Sequence, residues 1–235
     1  MMDRKKLLLL YNPSAGRAQT SRNLDMLLQK FCTGGCETTV YPILDGLNAE
    51  DILAGAESAG YDIVVCCGGD GTLHHTVNGL LRLEQPPLLG YIPSGSTNDF
   101  AASLGLPKTP EDAADAVVNG RPHAIDAGDF GGELFCYVAA FGAFSAVSYE
   151  TPQNMKNAMG HLAYIIEGVK RLPIGEKYPA RVEVGDRVFE EEFLFCSISN
   201  TTSIGGFSLD KSVEATLDDG EFEVLLIKAP TSVAE

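Results

Sequence analysis

The stretch IVVCCGGDGTLHH, residues 63–75, holds the residue types best suited to chemistry. An apolar run ends in Gly68 and Gly69, and Leu73 then begins a helix-like pattern with Val77, Leu80 and Leu81. A glycine-rich turn from strand to helix presents bare backbone N–H groups, which bind phosphate oxygens. Asp70 conflicts with that reading, because a carboxylate repels a phosphate. The two become compatible when a divalent cation is present: the carboxylate then orients the ion's water shell or accepts the proton of an attacking hydroxyl. The alternative is that Asp70 only caps the helix that follows.

Two further loops have related chemistry. YNPSAGR (11–17) offers the Asn12 amide, with Gly16 freeing the backbone beside Arg17. PSGSTNDF (93–100) is dense in hydroxyls and amides and contains Ser96, Asn98 and Asp99. Such residues also populate ordinary turns. Three such loops, each after a strand-like run, point to one nucleotide site.

The elements that must position these loops alternate. LLLLY (7–11), ETTVYPIL (37–44), YDIVVCC (61–67) and PPLLGYIP (86–93) read as strands, and helical spacing follows each of them. Alternating strand and helix predict a doubly wound parallel α/β domain over 1–121, with ligands at the carboxyl ends of its strands. From 122 to 235 the rhythm changes to strand-like segments such as ARVEV, RVFEEEFLFCSIS and EFEVLLIK. The expectation there is an antiparallel β-rich domain with one packed helix, marked by Met155, Met159, Leu162, Ile166 and Val169.

A net charge of −15 over 235 residues argues against nucleic acid as the main partner. It also provides no polybasic route to an anionic membrane. The apolar runs are too short to span a bilayer, and the one after Lys6 reads as a buried strand rather than a signal peptide. Most of the six cysteines sit in apolar, strand-like contexts, as expected of buried thiols in a reduced, cytoplasmic protein.

Asn12-Pro13-x-x-Gly16, GGDGT at 68–72 and Gly95-x-x-Asn98-Asp99-Phe100 together resemble the diacylglycerol kinase catalytic family, in its bacterial lipid-kinase branch, related to sphingosine kinases. LDDGEFEVLLI (217–227) fits the second domain of that family. The resemblance implies ATP-dependent phosphorylation of a lipid hydroxyl, with Gly68, Gly69, Asp70, Gly71, Thr72, Asn12, Gly16, Ser96 and Asn98 around the nucleotide and Asp70 as the catalytic residue. Ser96 stands where relatives have threonine. His74 and His75 stand where they commonly have Asn-Glu, and both read as helix-surface residues. The resemblance also implies a Mg2+ site with the Asp219 carboxylate and the Thr216 and Glu221 carbonyls, linked through Asp99 to Asp70 by waters; a tight Asp-Gly turn accounts for the same letters.

Expected partners are a lipid with a free hydroxyl and, transiently, a membrane surface, with peripheral attachment and a homodimer left open. Relatives carry a further segment with a catalytic glutamate after the EFEVLLIK strand, so the chain reads as a fragment of a longer kinase. A kinase similar to the NAD kinases, which share GGDGT, and a nucleotide- or lipid-binding regulator without turnover are the other readings.

Overall fold

The computed structural model describes residues 4–15, 19–96, 98–142, 177–201, 203–204, 207–208 and 216–229. They divide into two compact units, Met1–Ala124 with Gly128–Phe135, and Ile125–Ala127 with Cys136–Glu235.

In the first unit the order is β1 (Lys5–Tyr11), α1 (Gln19–Thr33), β2 (Cys36–Pro42), α2 (Ala49–Ala56), β3 (Ile63–Gly68), α3 (Asp70–Leu81), β4 (Leu88–Pro93), α4 (Asp99–Ser103) and α5 (Pro110–Asn119). The strands form a parallel sheet in the order β2-β1-β3-β4. Leu7, Leu8, Leu9 and Leu10 have no exposed surface. Successive side chains leave a strand on opposite faces. Leu7 and Leu9 therefore pack with Leu27 and Phe31 of α1 and with Ala113 and Ala114 of α5. Leu8 and Leu10 pack with Ala49, Ile52 and Leu53 of α2 and with Leu80 of α3. A leucine run without polar interruption is what a strand covered on both faces requires.

Local signals set the helix boundaries. Thr109 caps α5 by accepting the Asp112 N–H at 3.1 Å, and Pro110 occupies the first turn. Lys30 of α1 pairs with Glu111 and Asp115 of α5 at 3.1 and 2.9 Å. Such partly exposed pairs add on the order of 1 kcal/mol or less, so apolar packing dominates the contact between these helices.

A short hairpin, β5 (Gly128–Phe130) and β6 (Glu133–Phe135), also belongs to the first unit. Buried Asn78 of α3 acts toward it like a strand partner: Nδ2 donates to the Leu134 carbonyl at 2.8 Å and Oδ1 accepts the Leu134 N–H at 2.9 Å. ELFCYVAA, which reads as one strand, is split into β6, paired with β5, and a separate β7 (Val138–Gly142), paired with a strand of the second unit.

The second unit is antiparallel. β7, β8 (Tyr178–Val184) and β12 (Glu223–Lys228) all pair with the long β9 (Arg187–Ser199), while β10 (Ser203–Ile204) and β11 (Phe207–Ser208) form a minor pair. Val184 pairs with Arg187 across Gly185, whose φ of 55° suits a tight hairpin turn. The helix expected over 155–169 lies outside the described residues. Among the described residues no helix is long and apolar enough to cross a membrane.

Leu9→Ala should destabilise the protein by about 2–5 kcal/mol, because a cavity in a two-sided core closes poorly. Leu88→Ala, at a side chain in a residue 52% exposed on the edge strand, should change stability by less than about 0.5 kcal/mol. Urea denaturation of the two variants checks the contrast; equal losses would contradict the placement of β1 at the centre.

Candidate active site

Every residue of β3 is buried, and the strand delivers Gly68 and Gly69 directly to the start of α3. Gly69 is the N-cap and provides no side-chain hydrogen bond. The first N–H groups of α3 therefore lack the side-chain partner that most helices have, which suits them to an anion.

The β1 loop is fastened to this turn by Asn12. Its backbone N–H donates to the Cys67 carbonyl at 2.9 Å, and its Nδ2 donates to Thr72 Oγ1 at 3.1 Å. Its Oδ1 accepts the Ser14 N–H at 2.9 Å. The β4 loop joins from the other side, where the Ser94 N–H donates to the Gly68 carbonyl at 2.8 Å. Asn98 closes that loop: Oδ1 accepts the Gly95 N–H at 2.7 Å and Nδ2 donates to the Gly95 carbonyl at 2.9 Å. With φ 55°, Asn98 is left-handed, a conformation that asparagine tolerates better than most residues.

Three loops thus meet around one pocket of about 440 Å3. Asn12, Gly69, Gly71, Thr72, Gly95 and Ser96 form one side. Ile43, Asn48, Ala49 and His75, from the β2–α2 connection, the start of α2 and the second turn of α3, form a further part of the wall. Sequence reading did not place this wall. Its one legible signal was Asn48 before Glu50 and Asp51, a helix-start pattern, and Asn48 Oδ1 does accept the Asp51 N–H at 2.9 Å. Gly68 and Asn98 support the pocket without lining it, and Gly16 lies outside the described residues.

The glycines act through close approach, and those of the 68–72 loop do not have positive φ. A Cβ on Gly95 would lie 2.6 Å from the Gly69 Cα, so the two backbones are in contact. A Cβ on Gly71 would meet nothing within 4 Å and would only occupy space beside the pocket. Beneath this turn, burial pushes the Cys67 thiol up to about 11, leaving it unreactive at neutral pH.

Asp70 does not line the pocket. Its two carboxylate oxygens accept the N–H groups of Asp99 and Phe100 at 3.2 and 3.4 Å. The carboxylate therefore ties α3 to the start of α4, and does not cap the helix on which it sits. Burial raises its pKa, and the amide hydrogen bonds oppose that rise.

In the second unit the acidic turn is organised by a residue outside the expected set, Asp126. Its Oδ2 accepts the Gly220 N–H at 2.6 Å, and its N–H donates to the Leu217 carbonyl at 2.8 Å. Asp219 Oδ1 accepts the Glu221 N–H at 3.0 Å. Asn200 donates to the carbonyls of Asp126 and Leu217 at 3.2 and 3.1 Å, and its buried Oδ1 has no hydrogen-bond partner. An orphaned buried acceptor among carboxylates and carbonyls fits a hard cation with oxygen ligands. Asp126 and Asp219 are the carboxylates of the turn's hydrogen-bond network, and among the described residues no group of three or more His, Cys, Asp or Glu could hold a metal. A cation here would therefore depend on backbone carbonyls such as those of Thr216 and Glu221.

Residues 6–130 match the diacylglycerol kinase catalytic domain. The chain is 35% identical over 227 residues to a diacylglycerol kinase of Bacillus subtilis, covering 95% of this chain and 74% of the relative. It is equally similar over 226 residues to a diacylglycerol kinase of Staphylococcus saprophyticus, covering 96% and 73%. A crystal structure of a diacylglycerol kinase from Bacillus anthracis superposes with a TM-score of 0.73 at 23% identity, over 97% of this chain and 75% of that one, and supports the fold. The chain belongs to the diacylglycerol kinase catalytic domain family, and it is a lipid kinase.

Two measurements test this geometry. Gly95→Ala should lower stability by about 1–3 kcal/mol through overpacking, whereas Gly71→Val should leave the melting temperature nearly unchanged and weaken nucleotide binding. The reverse ranking would refute the loop contact. Because Asp70 binds its proton more tightly in the folded state than at its unfolded value of about 3.9, its contribution to stability is full below that value and is lost as pH rises through the folded pKa. The stability of wild type relative to Asp70→Asn should therefore fall as pH rises above about 4; a pH-independent difference would show that burial does not perturb the group.

Proposed function

Starting from a lipid kinase with this pocket, we propose that the chain transfers the γ-phosphate of ATP to a hydroxyl of diacylglycerol or a closely similar lipid. The observation that supports this reading is the convergence of the β1, β3 and β4 loops on one pocket whose polar groups are N–H donors, hydroxyls and amides. The uncapped first turn of α3 receives phosphate oxygens through backbone N–H groups. Thr72 Oγ1 and Asn12 Nδ2, already joined at 3.1 Å, flank them. Mg2+ bound with the nucleotide supplies the positive charge that phosphoryl transfer needs, and the acidic turn of Asp126, Thr216, Asp219 and Glu221 is assigned to a structural Mg2+.

Asp70 is the acid–base residue in this reading. Burial makes its carboxylate a stronger base than a solvated aspartate, which suits removal of a proton from a lipid hydroxyl. The α4 amides hold it in place while leaving each oxygen a further lone pair. Diacylglycerol as acceptor draws its support from the names of the relatives, and such an acceptor requires transient contact with a membrane surface.

Incubation with γ-labelled ATP and diacylglycerol in mixed micelles should yield labelled phosphatidic acid. Labelling of NAD but not of lipid would overturn the acceptor assignment. Asp70→Asn should lower kcat by about 10²–10⁴-fold with little change in ATP affinity; a near-normal kcat in a destabilised variant would make Asp70 a positioning residue only.

A further inference from the structure

His75, on the second turn of α3, lines the same pocket as the loops that present hydroxyls and amides. Its Nδ1 lies 3.0 Å from Glu50 Oε1, on the first turn of α2. A carboxylate accepts only, so Nδ1 carries a proton and Nε2 is the nitrogen left for a ligand. In the neutral ring Nε2 has a lone pair; a second proton converts it into a charge-assisted donor. Among the described residues that line the pocket there is no Lys or Arg, and His75 is the sole group able to carry a positive charge.

Carboxylates stand close to the ring. Glu50 also pairs with Arg82, which leaves its carboxylate ionised; its pKa is lowered first by the hydrogen bond to His75 and further by Arg82. On the same helix His74 meets His75 edge to face at 5.3 Å, and Glu133 of β6 faces His74 at 3.9 Å. Asp70 is engaged with the α4 amides, Asp51 lies on α2 beside Glu50, and β3 contributes only cysteine thiols. Carboxylates on both packing elements therefore outnumber the neighbouring cations.

We propose that His75, oriented by Glu50, donates Nε2–H to an anionic oxygen of the bound nucleotide and so makes nucleotide binding proton-linked. This rests on the nucleotide reading of the pocket and adds a residue and a regulation to it. An anionic ligand beside the imidazole raises its affinity for a proton. Binding therefore takes up a proton wherever the free ring is neutral, and affinity falls as the pH rises and the ring loses its second proton. For an acidic chain whose pocket offers mainly dipoles, this provides charge at the ligand only when the ligand or the pH calls for it.

Calorimetric titration of the full chain with ATP, without metal, from pH 5.5 to 8 in buffers of different ionisation enthalpy reads both affinity and proton uptake. ATP titrates in this range itself, so the comparison is with His75→Gln. Wild type should bind more tightly than His75→Gln by about tenfold at the acid end and equally at the alkaline end, and the variant should show less proton uptake. Glu50→Gln, which keeps the imidazole but removes its carboxylate, should fall between the two and guards against misfolding of the first variant. Identical pH responses in wild type and both variants overturn the proposal while leaving the nucleotide reading intact; no ATP binding by wild type at any pH overturns both.

Discussion

Leu7 to Leu10 have no exposed surface, so β1 must be covered on both faces, and helices returning across the sheet provide that cover. Parallel neighbours follow, because a chain that crosses back over a face re-enters the sheet in the same direction. Once β1, β3 and β4 run parallel in register, their carboxyl ends must lie on one side. The loops at 12–15, 68–72 and 94–98 are brought together by that constraint before any contact between them is considered. The bonds that join them are few and specific: Asn12 to Thr72, Ser94 to Gly68, and the contact of the Gly69 and Gly95 backbones.

The first unit solves an electrostatic problem with dipoles. A chain of net charge −15 binds an anionic ligand poorly on average. In the proposed reading, the pocket compensates through N–H groups at an uncapped helix start and through amide side chains whose acceptor ends are already occupied. Asn12 Oδ1 is satisfied by the Ser14 N–H and Asn48 Oδ1 by the Asp51 N–H. The Asn12 donor end is in turn committed to Thr72 Oγ1 at 3.1 Å. Asp70 lies just behind this lining, its oxygens held by the amides of α4.

The second unit uses polar burial differently. Ser197, Ser199, Asn200 and Thr201 are buried along the end of β9, a costly row unless its hydrogen bonds are made. Asn200 meets part of that demand by bridging the carbonyls of Asp126 and Leu217, and so pins the acidic turn to the end of the strand. Its Oδ1 is buried there without a hydrogen-bond partner.

Periodicity settled the alternation of β1 to β4 with α1, α2, α3 and α5 but not α4 or the β5–β6 hairpin, because a leucine run and its alternation encode which layer each residue joins. The three loop motifs were legible for the same local reason: glycine, asparagine and serine after a strand leave few other uses for so much exposed backbone. The antiparallel character of the second half was legible from alternation. Three features were decided only by tertiary contact. ELFCYVAA is divided between two sheets, its start pairing with β5 and its end with β9, while Asn78, a helix residue far away in sequence, bonds Leu134. Asp70 turns from its own helix to α4, where its carboxylate oxygens accept the N–H groups of Asp99 and Phe100. His75 read as a surface residue, yet it joins the pocket because α2 packs beside α3 and places Glu50 within hydrogen-bonding reach. Local spacing determines which face a side chain leaves from; what it meets there depends on elements that no window of sequence contains.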